Sequence, residues 1–338
     1  MSGRLSGYPK VVGRIQRELV EGLVSHAYLV LGPPQVGKMV LALDLAQALN
    51  CEGPDAPCGR CSHCQKTVAL AHPDVQVLAL LVDQKSERFH QVVGIDQVRA
   101  LQRDASLHPY WGKYRVFIID GAQRMSTEAA NCLLKTLEEP PPACIIILLA
   151  TEENDLPATI ISRCRKVYLR PLPVSQVERI LLEQGTAPEE ALLLSRLSGG
   201  RLGWALSARG ETRLMSARSS VLGSLRGGLG GGIPERFHLA EEMAGLFYKD
   251  RSALERALQI WLGWARDLLL VRGGFNQGIS NVDEEQALIQ WSERLSNKEI
   301  LAFVKAIIST LECLERNVSP RLALDALMLQ APHRGADA

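Results

Sequence analysis

Neither sign of charge prevails in this chain of 338 residues, where 38 Lys and Arg stand against 37 Asp and Glu. The total therefore gives no long-range pull toward nucleic acid, and any such contact needs a local arrangement of charge. Free-standing, salt-driven DNA binding is not expected. Long apolar runs are missing too: Ala143 to Ala150 falls far short of the ~20 residues a membrane-spanning helix requires. No charged start followed by an apolar stretch opens the sequence, so a cytoplasmic protein with no membrane partner is expected. A secreted disulfide framework is also absent. Four of the eight cysteines crowd between Cys51 and Cys64, while Cys132, Cys144, Cys164 and Cys313 are scattered singly. Disorder is excluded over most of the length, because 46% hydrophobic and 22% charged residues are ordinary for a soluble protein with sizeable cores.

What is there begins with a strand, a loop and a helix. Ala27 to Leu31 is a short apolar run ending at a glycine loop, and Lys38 to Leu49 repeats apolar residues at helical spacing. A strand-like Val75 to Val82 follows the cysteine cluster, and Asp83 to His90 reads as a solvated loop. Ile95 to Leu107 and Ser126 to Leu137 have helical patterns, the second stopped by Pro140-Pro141-Pro142. Val116 to Ile119, Cys144 to Leu149 and Val167 to Leu169 are apolar strands. Strands apolar on both faces and separated by helices predict an α/β fold with a parallel sheet covered on both sides.

After Pro171 and Pro173 no convincing strand remains. Val177 to Gln184, Pro188 to Leu197 and Leu202 to Ala208 predict a small helical unit. The five glycines between Gly227 and Gly232 predict a flexible break over Ser224 to Ile233. Helical patterns resume over Glu235 to Val271 and Asp283 to Leu329, with Trp261, Trp264 and Trp291 read as helix-contact core. The expected domains are residues 1–170, 171–208 and 209–330, followed by a frayed tail at 331–338.

The glycine loop is Gly32-Pro33-Pro34-Gln35-Val36-Gly37-Lys38-Met39. Gly32 and Gly37 supply curvature that turns backbone N–H groups toward phosphate, and Lys38 reaches the terminal phosphates from the start of the helix. An intact loop has Ser or Thr next, whose hydroxyl coordinates magnesium; Met39 offers only a thioether. Asp120 ends an apolar strand, in the place of a carboxylate that holds magnesium through water. The residue after it is Gly121, which cannot polarise a water nucleophile. Two defects in one hydrolytic site predict a nucleotide-hydrolase fold kept for something other than its own turnover. ATP or ADP binding remains compatible with the loop, with magnesium coordination weakened.

Cys51, Cys58, Cys61 and Cys64 have the spacing C-x6-C-x2-C-x2-C. Four thiolates suit tetrahedral structural zinc and leave no open position for catalysis, which makes His63 a polar neighbour rather than a ligand. An iron–sulfur cluster is the alternative metal reading; a redox disulfide pair fits a reducing compartment less well.

Beyond the loop, the chain carries Val12-Gly13, His26-Ala27-Tyr28, Asn131-Cys132-Leu133-Leu134-Lys135-Thr136-Leu137-Glu138-Glu139-Pro140-Pro141, Ala150-Thr151-Glu152 and Ser162-Arg163-Cys164. In these motifs it resembles the delta-prime branch of the bacterial DNA polymerase III clamp-loader family, related to the gamma/tau ATPase subunits within the AAA+ superfamily. The resemblance covers most of the chain and is sharpest from Val12 to Arg170. It implies a RecA-like AAA+ P-loop domain with a zinc-binding insertion, a small helical lid and an all-helical C-terminal collar that joins subunits into a ring. It implies that Arg163 is an arginine finger reaching ATP on a neighbouring subunit and that Thr151 occupies the first sensor position. The second sensor arginine of active relatives falls on Gly203, a third departure, and Arg201 does not take its place.

The resemblance further implies gamma/tau and delta subunits as partners, with the sliding clamp and primed DNA met through the assembled complex. The family also carries a four-cysteine module between the first helix and the next strand. A non-hydrolysing or weakly hydrolysing stator subunit is the leading expectation. An active AAA+ ATPase subunit and a zinc-dependent nucleic-acid-binding module are the alternatives, distinguished by phosphate release and by DNA retention of the isolated chain.

Overall fold

The structure, a computed structural model, describes residues 7–78, 81–82, 91–316 and 318–332. Its first elements are α1 (Pro9–Val20), β1 (Ala27–Leu31), α2 (Lys38–Asn50), α3 (Ser62–Val68), β2 (Val75–Leu78), β3 (Leu81–Val82), β4 (Gln91–Val92), α4 (Ile95–Ala105), β5 (Arg115–Asp120), α5 (Thr127–Glu138), β6 (Cys144–Ala150), α6 (Ala158–Ile161) and β7 (Arg165–Tyr168). Helices alone follow: α7 (Val174–Glu183), α8 (Pro188–Leu197), α9 (Leu202–Ala208), α10 (Thr212–Gly230), α11 (Ile233–Lys249), α12 (Arg251–Arg272), α13 (Glu285–Arg294), α14 (Asn297–Glu315) and α15 (Pro320–Gln330), apart from two short helical turns between α12 and α13.

Two compact units result, Met1–Ile180 with Gly200–Trp204, and Leu181–Gly199 with Ala205–Ala338. In the first, five parallel strands run in the order β2-β5-β6-β1-β7. β1 and β6 are buried at every residue, which is why both read as unbroken apolar runs. On one face Leu29, Leu31, Phe117, Ile119, Ile146 and Leu148 pack with Val98 and Leu101 of α4 and Leu133 and Leu137 of α5. The opposite face is covered by α2, which contacts β1, β5 and β6. From β1 the chain crosses to the far edge at β2, and β7 later joins on β1's other side. The order thus reverses at β1, and its C-terminal end is the crevice where open α/β sheets bind ligands.

The second unit buries Trp261 and Trp264 completely, with Trp264 edge-on to Trp291 at 6.0 Å between ring centres. Three expectations are refined there. The break expected over Ser224 to Ile233 narrows to Gly231 and Gly232, and α10 stays helical through Gly230. Leu222, Leu225 and Leu229 recur at helical spacing and are fully buried, and burial of that stripe overrides glycine's helix penalty of about 1 kcal/mol per residue. Gly228 is used for close approach: a Cβ there would lie 2.5 Å from Leu239 of α11. The pattern Glu235 to Val271 is not continuous either, because Asp250 leaves helical geometry (φ −153°) and its side chain caps α12 by accepting from the Ala253 N–H. Likewise Asp283 to Leu329 divides into three helices, the second opened by a Ser296/Glu299 capping box.

The expected strand Val75 to Val82 joins the sheet only through Leu78; Leu81–Val82 pairs antiparallel with Gln91–Val92 in a separate ribbon. The predicted loop Asp83 to His90 lies outside the described residues, as do residues 333–338 of the predicted frayed tail. Ala331 and Pro332 are buried rather than frayed, and both carbonyls accept from Arg236.

Candidate functional site

The phosphate loop joins β1 to α2. Gly37 has φ 108° as the N-cap of α2, and Gln35 takes the left-handed φ of 61°. Gly32 must be glycine, since a Cβ would sit 2.2 Å from the Leu169 carbonyl. The Lys38 ammonium donates to the carbonyls of Gly32 and Pro33, the latter at 2.8 Å. Burial pulls its pKa below the usual lysine value, and the Asp120 carboxylate opposes that shift. Leu31 pairs with Ala150, and Asp120 with Leu149, so Gly32, Asp120 and Thr151 lie at the same end of the sheet. Thr151 Oγ1 accepts from Gln123 Nε2 at 3.2 Å.

The donor set is weakened for magnesium, because Met39 supplies no hard oxygen beside Lys38 and Asp120 is the carboxylate that remains. At Gly121 the backbone is left-handed (φ 78°, ψ 43°), a form that a glutamate takes only with strain. Gly203, where the second sensor arginine was expected to be missing, donates its N–H to the Gln35 carbonyl at 2.8 Å.

Arg163 lies just before β7, whose first residue Arg165 pairs with Tyr28 at the opposite end of β1 from the phosphate loop. It follows α6, where Nη1 donates to the Thr159 carbonyl at 2.8 Å and Nη2 pairs with Glu138 Oε1 at 2.7 Å. The guanidinium is thus held at the C-terminal end of α5. Sequence reading missed Glu138 as its partner, since 25 residues separate the two and only the packing of α6 against α5 brings them together.

The cysteine module follows α2 directly. The sulfurs of Cys51, Cys58, Cys61 and Cys64 all lie within 4.8 Å of one another, with Cys51 and Cys61 at 4.0 Å. Four sulfurs at the Zn–S distance of about 2.3 Å would stand ~3.8 Å apart, so the cage fits a tetrahedral ion after small adjustment. Backbone N–H groups already point at the sulfurs: Gly53 and Cys58 donate to Cys51, and Cys61 to Cys58, each at 3.3 Å. N–H groups of Arg60 and Cys61 pull the Cys58 thiol down to about 6. Cys51, Cys58, Cys61 and Cys64 are therefore the residues that could hold a metal.

Three features missed in the sequence brace this cage. Gln47 of α2 donates to the Cys64 carbonyl at 2.8 Å. His63 is turned away from the sulfurs, bonded to His72 at 2.8 Å and Glu52 at 3.0 Å, and stacks on Trp111 at 4.0 Å. Asp74 in turn accepts the N–H groups of Tyr110, Trp111 and Gly112, fixing the loop that carries the tryptophan.

A parallel sheet with reversed strand order at β1, a Lys-bearing phosphate loop there and an acidic residue ending β5 define a P-loop module of the AAA+ class. Residues 7–173 match the model of the family described as DNA polymerase III, delta subunit. The chain is 27% identical over 322 residues to the DNA polymerase III subunit delta' of Bacillus subtilis (strain 168), covering 95% of each. Against the delta' subunit of Escherichia coli (strain K12) it is 36% identical over 185 residues, 54% of each chain. The tau subunit of the same organism is 35% identical over 234 residues, 65% of this chain and 35% of the longer tau. Over most of its length the chain is similar to DNA polymerase III subunits of the delta-prime and tau kind. Among solved structures, a DNA polymerase III gamma subunit-related protein from Thermotoga maritima overlays with a TM-score of 0.49 at 20% identity, covering 94% of this chain and 98% of that one. No helix among the described residues is long and apolar enough to cross a membrane.

Proposed function

We propose that this chain is the delta-prime-type stator of a replicative clamp loader, which turns over little or no ATP itself and lends Arg163 to ATP held by a neighbouring gamma/tau subunit. One combination carries the reading: the chain's own site has lost three working parts, at Met39, Gly121 and Gly203, while a guanidinium remains at the surface on Arg163, away from that site. A planar guanidinium can make paired contacts to phosphate oxygens and offset charge that develops in phosphoryl transfer. Lys38, Gly32 and Gly37 keep the form of a phosphate cradle, so ATP or ADP could sit there without turnover; Thr151 and Asp120 would face its terminal phosphates.

On this reading residues 1–170 are the ATPase-like domain, 171–208 the lid and 209–330 the collar that joins subunits. The delta subunit is a second partner, and the sliding clamp and primed DNA are met through the assembled, cytoplasmic complex. Zinc on the four cysteines is structural, supplying the cross-link that a loop too small for its own apolar core needs.

The test is steady-state ATPase activity of the reconstituted loader with clamp and primed DNA, wild type against Arg163→Ala. A fall of ~10-fold or more with assembly intact is expected. Unchanged activity would overturn the arginine-finger reading.

A further inference from the structure

Arg163 is already engaged. Nη2 pairs with Glu138 Oε1 at 2.7 Å, and Nη1 donates to the Thr159 carbonyl at 2.8 Å and to Ser162 Oγ at 3.2 Å. Glu138 is the last residue of α5, so the guanidinium also lies at the negative end of that helix. To serve a phosphate on another subunit, the same fork that now holds the carboxylate must let it go.

We infer that Glu138 is a positioning residue that restrains Arg163, keeping the guanidinium paired within this chain until a neighbour's phosphate displaces the carboxylate. This rests on the arginine-finger reading above and adds its regulation. Carboxylate and phosphate compete for one planar donor set, and the more highly charged phosphate wins only when it is presented in reach. The pair is suited to such exchange because both side chains are partly exposed, 35% for Arg163 and 49% for Glu138. Solvent and salt weaken pairs of this kind, so the restraint is small and reversible. It would hold back turnover most while the neighbouring phosphate is still out of reach, before clamp and DNA are bound.

The experiment is basal ATPase activity of the reconstituted loader, without clamp or DNA, at low and high salt. Glu138→Gln removes the charge with little change of shape and is expected to raise basal turnover about two- to fivefold, the range an exposed ion pair can supply. The rise should shrink at high salt, which a purely structural role would not produce. Glu138→Asp keeps a carboxylate and should stay near wild type, as should Glu139→Gln, which removes an adjacent exposed charge. Arg163→Ala/Glu138→Gln should show no rise over Arg163→Ala. Unchanged or lowered turnover in Glu138→Gln, with Arg163→Ala still strongly impaired, overturns the restraint and leaves the finger standing. Full activity in Arg163→Ala, with clamp and DNA present, overturns the finger itself and the restraint with it.

Discussion

Gly203 donates its backbone N–H to the carbonyl of Gln35 at 2.8 Å, and a Cβ on Gly203 would lie 2.6 Å from that same oxygen. The obstacle is backbone, which cannot swing aside as a side chain would. The position at which active relatives are expected to carry a sensor arginine is therefore closed by the phosphate loop itself.

Gly203→Arg should consequently fail to restore an ATPase. It is expected to lower stability by about 1–3 kcal/mol through overpacking against the loop, seen as a lower urea midpoint. Phosphate release by the isolated chain should not rise above wild type. A wild-type midpoint together with new hydrolysis would show that the loop yields easily and that the missing arginine was the main defect.

The cysteine cage makes a separate expectation about reactivity. Donors from Arg60 and Cys61 bring the Cys58 thiol to about 6, while burial pushes Cys144 up to about 11 and Cys164 up to about 12. In metal-free protein at pH 7, iodoacetamide should modify Cys58 well before Cys144 or Cys164, and its rate should fall as pH drops through about 6. Zinc should protect Cys58 and raise the melting temperature, with one ion bound per chain in metal analysis. Cys61→Ser should abolish tight binding. Preferential labelling of Cys144 in the zinc-free protein would contradict this order.

Much of the α/β unit was legible because its central strands β1 and β6 are buried on both faces and its helices carry clear ends. Ser126, read as the first residue of the helical pattern, is the residue that caps α5, and Asp120 ends β5 as expected. The helical unit was harder, since its boundaries depend on single residues inside continuous patterns. Asp250 breaks one pattern by capping, while Gly227 and Gly228 fail to break another because the stripe around Leu225 is buried. The cysteine spacing was legible in itself. Its support was not: Gln47, His72 with Asp74, and Trp111 converge from three separate segments, and no periodicity relates them. The pairing of Arg163 with Glu138 was hidden for the same reason.

Asp74 should be a stability determinant with a specific pH signature. Burial pushes its carboxyl up, but the N–H groups of Gly112, Tyr110 and Trp111 outweigh that and hold it below the ordinary value of 3.8. A carboxylate held low in the folded chain contributes fully above the unfolded value and loses its contribution as pH falls through the folded one. Asp74→Asn, which leaves one acceptor oxygen for three donors, is expected to cost about 1.5–3 kcal/mol. That gap should stay constant between pH 7 and ~5 and narrow only below ~4, measured as paired urea midpoints with Trp111 fluorescence reporting its loop. A gap that closes already near pH 6 would point to the neighbouring histidines instead.

Arg236 is 2% exposed, yet four carbonyls surround its guanidinium. Nη1 donates to Met328 at 3.3 Å and Ala331 at 2.9 Å, and Nη2 to Leu229 at 3.2 Å and Pro332 at 2.6 Å. Burial lowers its pKa, so the site holds the charge only because the carbonyl ends of α10 and α15 converge on it. One side chain thereby closes two helices and anchors the segment after α15. Arg236→Met removes the charge but leaves those carbonyls without donors, and is expected to cost about 3–5 kcal/mol. Arg236→Lys should fall between, because an ammonium is a compact donor that lacks the planar fork reaching both helix ends. Urea unfolding should place the three proteins in the order wild type, Lys, Met. If this unit joins subunits as proposed, gel filtration with partner subunits should show the Met variant losing assembly first. A Met variant as stable as wild type would mean that water replaces the guanidinium and that the helix ends do not depend on it.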